Sequence, residues 1–87
     1  MQLRQAAIPP AVELFHRIAE ADSARVRKLV LDEALGVQVR FRNVVYPEAA
    51  EALASHGGGP TPALWDGQRL YQGAEAVSAR LLRLRPG

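Results

Sequence analysis

With 87 residues, 48% of them apolar, the chain has room for one domain with a modest core, burying about 60–65% of its unfolded surface. Zero cysteines exclude disulfides, thiolate catalysis and thiolate metal sites together. The net charge is only +2, and the basic residues, all arginine except Lys28, are spread from Arg4 to Arg85 with acids between them, so no stripe for a nucleic acid is formed.

No run of about 18 apolar residues and no leader pattern occurs, so neither a membrane span nor a membrane partner is expected and the expected compartment is cytoplasmic. His16 and His56 lie far apart with no ligand-like spacing, and no metal site is expected.

Residues 1–10 end in Pro9-Pro10, which blocks helix continuation and sets them apart as an N-terminal arm before a domain over 11–87. From Ala11 to Ile18, Val12, Leu14 and His16 alternate with Glu13, Phe15 and Arg17, the period of a strand, although so short a segment also admits a helix. Asp22 or Ser23 can cap a helix in which Val26, Leu29, Val30, Ala34 and Leu35 recur at helical spacing and Gly36 supplies the stop. Val37, Val39 and Phe41 then alternate with Gln38, Arg40 and Arg42, which predicts a strand wet on one side at a sheet edge. Pro47 opens a second helix, with Glu48 and Glu51 in the positive field of its N-terminus, and the helix ends by His56-Gly57.

The run Gly57 to Gly73 organises what remains. Thr61-Pro62 forces an extended or turn geometry, Ala63-Leu64-Trp65 is a short strand, Asp66-Gly67 a hairpin turn and Arg69-Leu70-Tyr71 the returning strand. A third helix from Ala74 to Leu84 buries Val77 and Leu81 and carries Arg80 and Arg83 late, where positive charge suits a C-terminus. The order is strand, helix, strand, helix, strand, strand, helix. A right-handed crossover between the first two parallel strands places the first and third helices on one face and the second on the other.

Thr-Pro-Ala-Leu, a short turn, a second strand and then Gln72-Gly73-Ala74-Glu75-Ala76-Val77 resemble the C-terminal half of the thioredoxin-like fold, in the form used by glutaredoxins and the N-terminal domains of glutathione transferases. Leu14-Phe15-His16 is similar to the first strand of that domain, and Ser23 to Leu31 followed by Gly36 to its first helix, so the resemblance spans about residues 11–85. It implies an α/β fold, thioredoxin-like βαβαββα, with a four-stranded mixed sheet, helices on both faces and a cis Thr61-Pro62 bond packed near the start of the first helix.

The resemblance also shows what is missing. Where relatives carry a Cys-x-x-Cys pair this chain has Glu20-Ala21-Asp22-Ser23, and two carboxylates in the field of the helix N-terminus would repel a further anion. Ser23 reads as a cap rather than as a serine that holds a thiolate, and no catalytic residue is assigned. Thr61 and Pro62 keep the loop that presents backbone groups to the cysteinyl part of glutathione. Gln72, Gly73, Ala74 and Glu75 keep the shape, without the acid and the hydroxyl, of the segment that receives its γ-glutamyl end.

Trp65 is expected in the core, His16 is expected to be a hydrogen-bonded strand residue, and Arg25, Arg27 and Lys28 to form a solvated helix face. The preferred function is a non-catalytic module that acts through contact with a protein partner or as a homodimer. Glutathione is the alternative ligand, as in a glutathione-binding or transferase-like protein, and an anion or nucleic-acid binder is the third reading.

Overall fold

The computed structural model describes residues 12–86, and the expected N-terminal arm over 1–10 lies outside them. Four strands, β1 (Val12–His16), β2 (Val39–Asn43), β3 (Ala63–Trp65) and β4 (Leu70–Gln72), alternate with three helices, α1 (Ala21–Asp32), α2 (Pro47–Ser55) and α3 (Ala74–Leu82). They form an α/β fold with one open, mixed sheet in the order β2-β1-β3-β4, where β1 runs parallel to β2 and antiparallel to β3, and β3 antiparallel to β4. Among the described residues no helix is long and apolar enough to cross a membrane.

The period-2 pattern of β1 decides how the layers are filled. Val12 and Leu14 join Val39, Leu64, Val26 and Val30 of α1, and Ala74, Val77 and Leu81 of α3 in one cluster. Phe15 points the other way, onto Val44, Ala63 and Leu53 of α2. The first and third helices therefore cover one face and the second helix the other, as the crossover rule requires.

Element ends depart from expectation where hydrogen bonds outweigh residue type. Glu20, not Asp22 or Ser23, is the N-cap of α1, with extended backbone angles and no side-chain cap bond. Ser23 falls inside the first turn and is buried. At the other end Ala34, not Gly36, takes the left-handed conformation (φ 55°). The amides of Ala34 and Leu35 bond back to the carbonyls of Leu31 and Val30 at 3.1 and 2.9 Å, a double closure that delivers Leu35 into the core beside Val30. The same closure ends α2, where Gly57 (φ 87°) and Gly58 bond to Ala54 and Leu53 at 2.9 and 3.0 Å.

Because Leu35 is pulled in, the chain turns through Gly36-Val37 with Gln38 bonded to the Leu35 carbonyl, and β2 begins at Val39 rather than Val37. Val37 is left 82% exposed and Phe41 41% exposed, so only Val39 of the three expected inward residues is buried. β4 is shifted one residue later than expected, and α3 stops at Leu82 with Leu84 still packed on the core. Trp65 is half-buried rather than a core residue, stacked on the His56 ring at 3.8 Å and 9°. The Thr61-Pro62 peptide is cis, as expected.

The hairpin turn centres on Gly67-Gln68, one residue after the expected pair, with Gly67 at φ 97° as a two-residue turn needs at its first central position. Asp66 governs it. One carboxylate oxygen accepts the Gln68 and Arg69 amides at 2.9 and 2.8 Å, and the other takes Arg80 of α3 at 3.2 Å. The Arg69 amide, then the Gln68 amide and Arg80, hold its carboxyl down to about 2 against the opposing effect of burial.

Ala34→Gly is expected to raise the stability to urea by about 0.5–1 kcal/mol, since relief of the side-chain clash in the left-handed region exceeds the added chain entropy of glycine. Gly36→Ala should leave the end of α1 unchanged, because Gly36 does not hold the positive φ.

Candidate functional site

Three segments meet at the carboxyl end of β1: the β1–α1 loop with the first turn of α1, the Thr61-Pro62 loop before β3, and Gly73 at the start of α3. They are joined by hydrogen bonds. Glu20 Oε1 accepts from the Ser23 hydroxyl at 2.5 Å and from the Thr61 hydroxyl at 2.8 Å. The Arg17 amide donates to the Ser23 oxygen at 3.1 Å, and the Gly73 amide donates to the Pro62 carbonyl at 3.0 Å. The sequence-predicted residues Glu20, Ser23, Thr61, Pro62 and Gly73 are thus brought into one connected set.

Gln72 and Glu75 stand at the exposed rim, while Ala74 is buried and joins the core. Ala21 and Asp22 face solvent on the outer side of the first turn, and Asp22 is occupied by an exposed ion pair with Arg25 at 2.9 Å. Neither belongs to the connected set.

The chemistry of this arrangement follows from what each group has left to give. The Ser23 hydroxyl uses its proton on Glu20 and accepts the Arg17 amide, and it is fully buried, so a substrate has no access to it. The only imidazole nearby points elsewhere. Buried His16 accepts a hydrogen bond at Nδ1 from Arg27 at 3.1 Å, and because a guanidinium only donates, the ring proton sits on Nε2. Burial first, and the Arg27 charge second, hold the His16 pKa below its ordinary value.

Arg27 is therefore not part of a solvated helix face. Its guanidinium turns back over the loop to bond the Arg17 and Ile18 carbonyls at 3.1 and 3.3 Å as well as His16, anchoring the chain just before Glu20. Arg25 and Lys28 do lie on the exposed face, paired with Asp22 and Asp32. Among the described residues no group of three or more His, Asp or Glu side chains could hold a metal ion.

Sequence reading finds the three segments but not what ties them. Nothing in Thr61 signals that its hydroxyl reaches a residue 41 positions earlier, and Arg27 shares its helical period with surface arginines. No protein-family model, no curated protein and no solved structure matches the chain.

Two measurements test this geometry. A double-mutant cycle on Glu20→Ala and Thr61→Val, read by urea unfolding, is expected to give a coupling of about 0.5–2 kcal/mol, the range for contacting polar groups. Stability should also fall with pH below the usual imidazole value of about 6.5. His16 binds its proton less readily folded than unfolded, so its contribution is complete above that value and is lost as pH falls toward the lower folded value. In His16→Gln this limb of the pH profile should disappear.

Proposed function

We propose that the chain is a redox-inactive thioredoxin-like module, related in architecture to glutaredoxins and to the N-terminal domains of glutathione transferases, that works through protein contacts rather than turnover. The observation that carries this reading is the double acceptance at Glu20. A carboxylate stands at the N-terminus of α1, in contact with the Thr61 loop, and is closed on itself by the hydroxyls of Ser23 and Thr61. In a redox member of that fold this is the place where a thiolate is stabilised by the helix field. Here the field already faces a carboxylate, and no sulfur is present.

The strand order, with its parallel first pair and two-sided helix packing, supports the architectural half of the proposal. The glutathione reading is weaker for a specific reason. One donor that would meet a peptide ligand there, the Gly73 amide, is committed to the Pro62 carbonyl, and the Glu20 carboxylate is held beside the Thr61 loop. The anion-binding reading loses half of the cations among the described residues in the same way: Arg25, Lys28, Arg42, Arg80 and Arg85 each pair with an acid.

Glutathione titrated to millimolar concentration against the labelled protein is expected to leave the amide resonances of Glu20, Ser23, Thr61, Gly73 and Ala74 in place. Disulfide reduction and transfer to a standard electrophile should stay at background. Saturable shifts confined to those residues would replace this proposal with the glutathione-binding one.

A further inference from the structure

The strand β2 is an edge of the sheet among the described residues, and its ladder fixes which backbone groups are unused. At one end the Val12 amide donates to the Gln38 carbonyl at 3.1 Å, and at the other the Val44 amide donates to the His16 carbonyl at 3.0 Å. In a parallel ladder with this register, residues 38, 40, 42 and 44 bond inward to β1. The amides of Val39, Phe41 and Asn43 and the carbonyls of Val39 and Phe41 therefore point outward from the free edge, whereas the Asn43 carbonyl accepts the Tyr46 amide at 3.1 Å.

The side chains along that edge divide by face. Arg40 and Arg42 stand on the α2 side, where Arg42 pairs with Glu13 at 2.8 Å and lies over the Phe15 ring. Arg40 is exposed and has no ion pair among the described residues. On the α1 side Phe41 rests edge-on against His16 and keeps 41% of its surface in water. Just past the strand, Ile18 and Val45 are 64% and 70% exposed and line a cavity of about 320 Å³ with Arg17, Ala19 and Asn43. A second cavity of similar size runs beside Arg40, Phe41 and Arg42 and shares Asn43 with the first.

We propose that this edge accepts an extended segment of a partner protein as a fifth strand, and that the segment alternates acidic and apolar residues. The inference rests on the protein-contact reading above and names its surface. Period 2 places the partner's carboxylates on the face of the unpaired Arg40 and its apolar side chains beside Phe41 on the other. An apolar residue at the end of the segment fills the space between Ile18 and Val45. Charge selects against a second copy of this chain, because an antiparallel β2 pair centred on Phe41 sets Arg40 opposite the other Arg42, and like charges directly opposite are destabilising.

The test uses the full chain and a capped ten-residue peptide of alternating Glu and Val. Two controls accompany it: the same peptide with Lys for Glu, and a peptide of the same composition with its Glu residues in one block. The alternating acidic peptide is expected to slow exchange of the Phe41 amide by about tenfold or more. Arg40→Glu should weaken that binding by about tenfold. Phe41→Pro should abolish it, since proline removes an outward amide that an edge strand can spare. Should Phe41→Pro fail to fold, Phe41→Ala, which keeps the amide, is expected to retain protection at position 43.

No protection at millimolar peptide, equal binding of the blocked peptide, or a salt-resistant dimer of the protein alone would each overturn the proposal. Glutathione added to the same samples separates the two readings. Shifts at Thr61 and Gly73 would remove the protein-contact reading itself, whereas silence there with an unprotected Phe41 would remove only the edge-strand inference.

Discussion

The position of β1 constrains everything else in the molecule. It is paired on both edges and covered on both faces, so Leu14 and Phe15, adjacent in sequence, are fully buried on opposite sides of the sheet. A one-residue slip would exchange these faces and would set Glu13 among the residues of the α1–α3 cluster, at a cost no surface ion pair offsets. The register of β2 and β3, and hence the point at which each following loop leaves the sheet, is set by that one strand. The meeting of the Glu20, Thr61 and Gly73 segments follows from it.

At that meeting point polar groups satisfy one another. A buried hydroxyl, a carboxylate at a helix start and a threonine from a distant loop form a closed set of donors and acceptors, supported from outside by Arg27 on the loop carbonyls. Such a set, with its partners in place, fixes a single arrangement of three loops. Outward-facing backbone hydrogen-bonding groups also lie along the outer edge of β2, on the side of the molecule that carries the exposed Phe41 and Val45.

The order and type of all seven elements were legible in the sequence, because each is carried by a local signal: alternation in Val12–His16, helical spacing in Val26 and Val30, proline at the start of α2, Asp66-Gly67 at the hairpin. Boundaries depart from the local signals where a non-local contact wins. The requirement that Leu35 reach the core puts Ala34 rather than Gly36 in the left-handed position, and that in turn strips Val37 from β2. Trp65 was expected inside because of its size, yet the α2 side of β3 is shallow enough for His56 to cover it by stacking. In the site, the positions of Glu20, Ser23, Thr61 and Gly73 could be read from their spacing, whereas the hydroxyl-to-carboxylate bonds joining them depend on tertiary approach that no local pattern encodes.

The Asp66 joint described above has a mechanical meaning. It binds the hairpin to α3, while the Gly73 amide binds the start of α3 back to Pro62, so residues 61–82 are laced at both ends by contacts close in sequence. At the other end of the sheet His16, its pKa held below the ordinary value by burial and then by Arg27, accepts a hydrogen bond from that arginine. Acid therefore acts unevenly across the molecule. The His16 contribution declines once the medium passes below neutrality, whereas that of Asp66 persists through mild acid and is lost only as pH falls from the ordinary carboxylate range toward about 2. The acid sensitivity of the domain is thus divided between two side chains at opposite ends of one sheet, His16 closing β1 and Asp66 following β3.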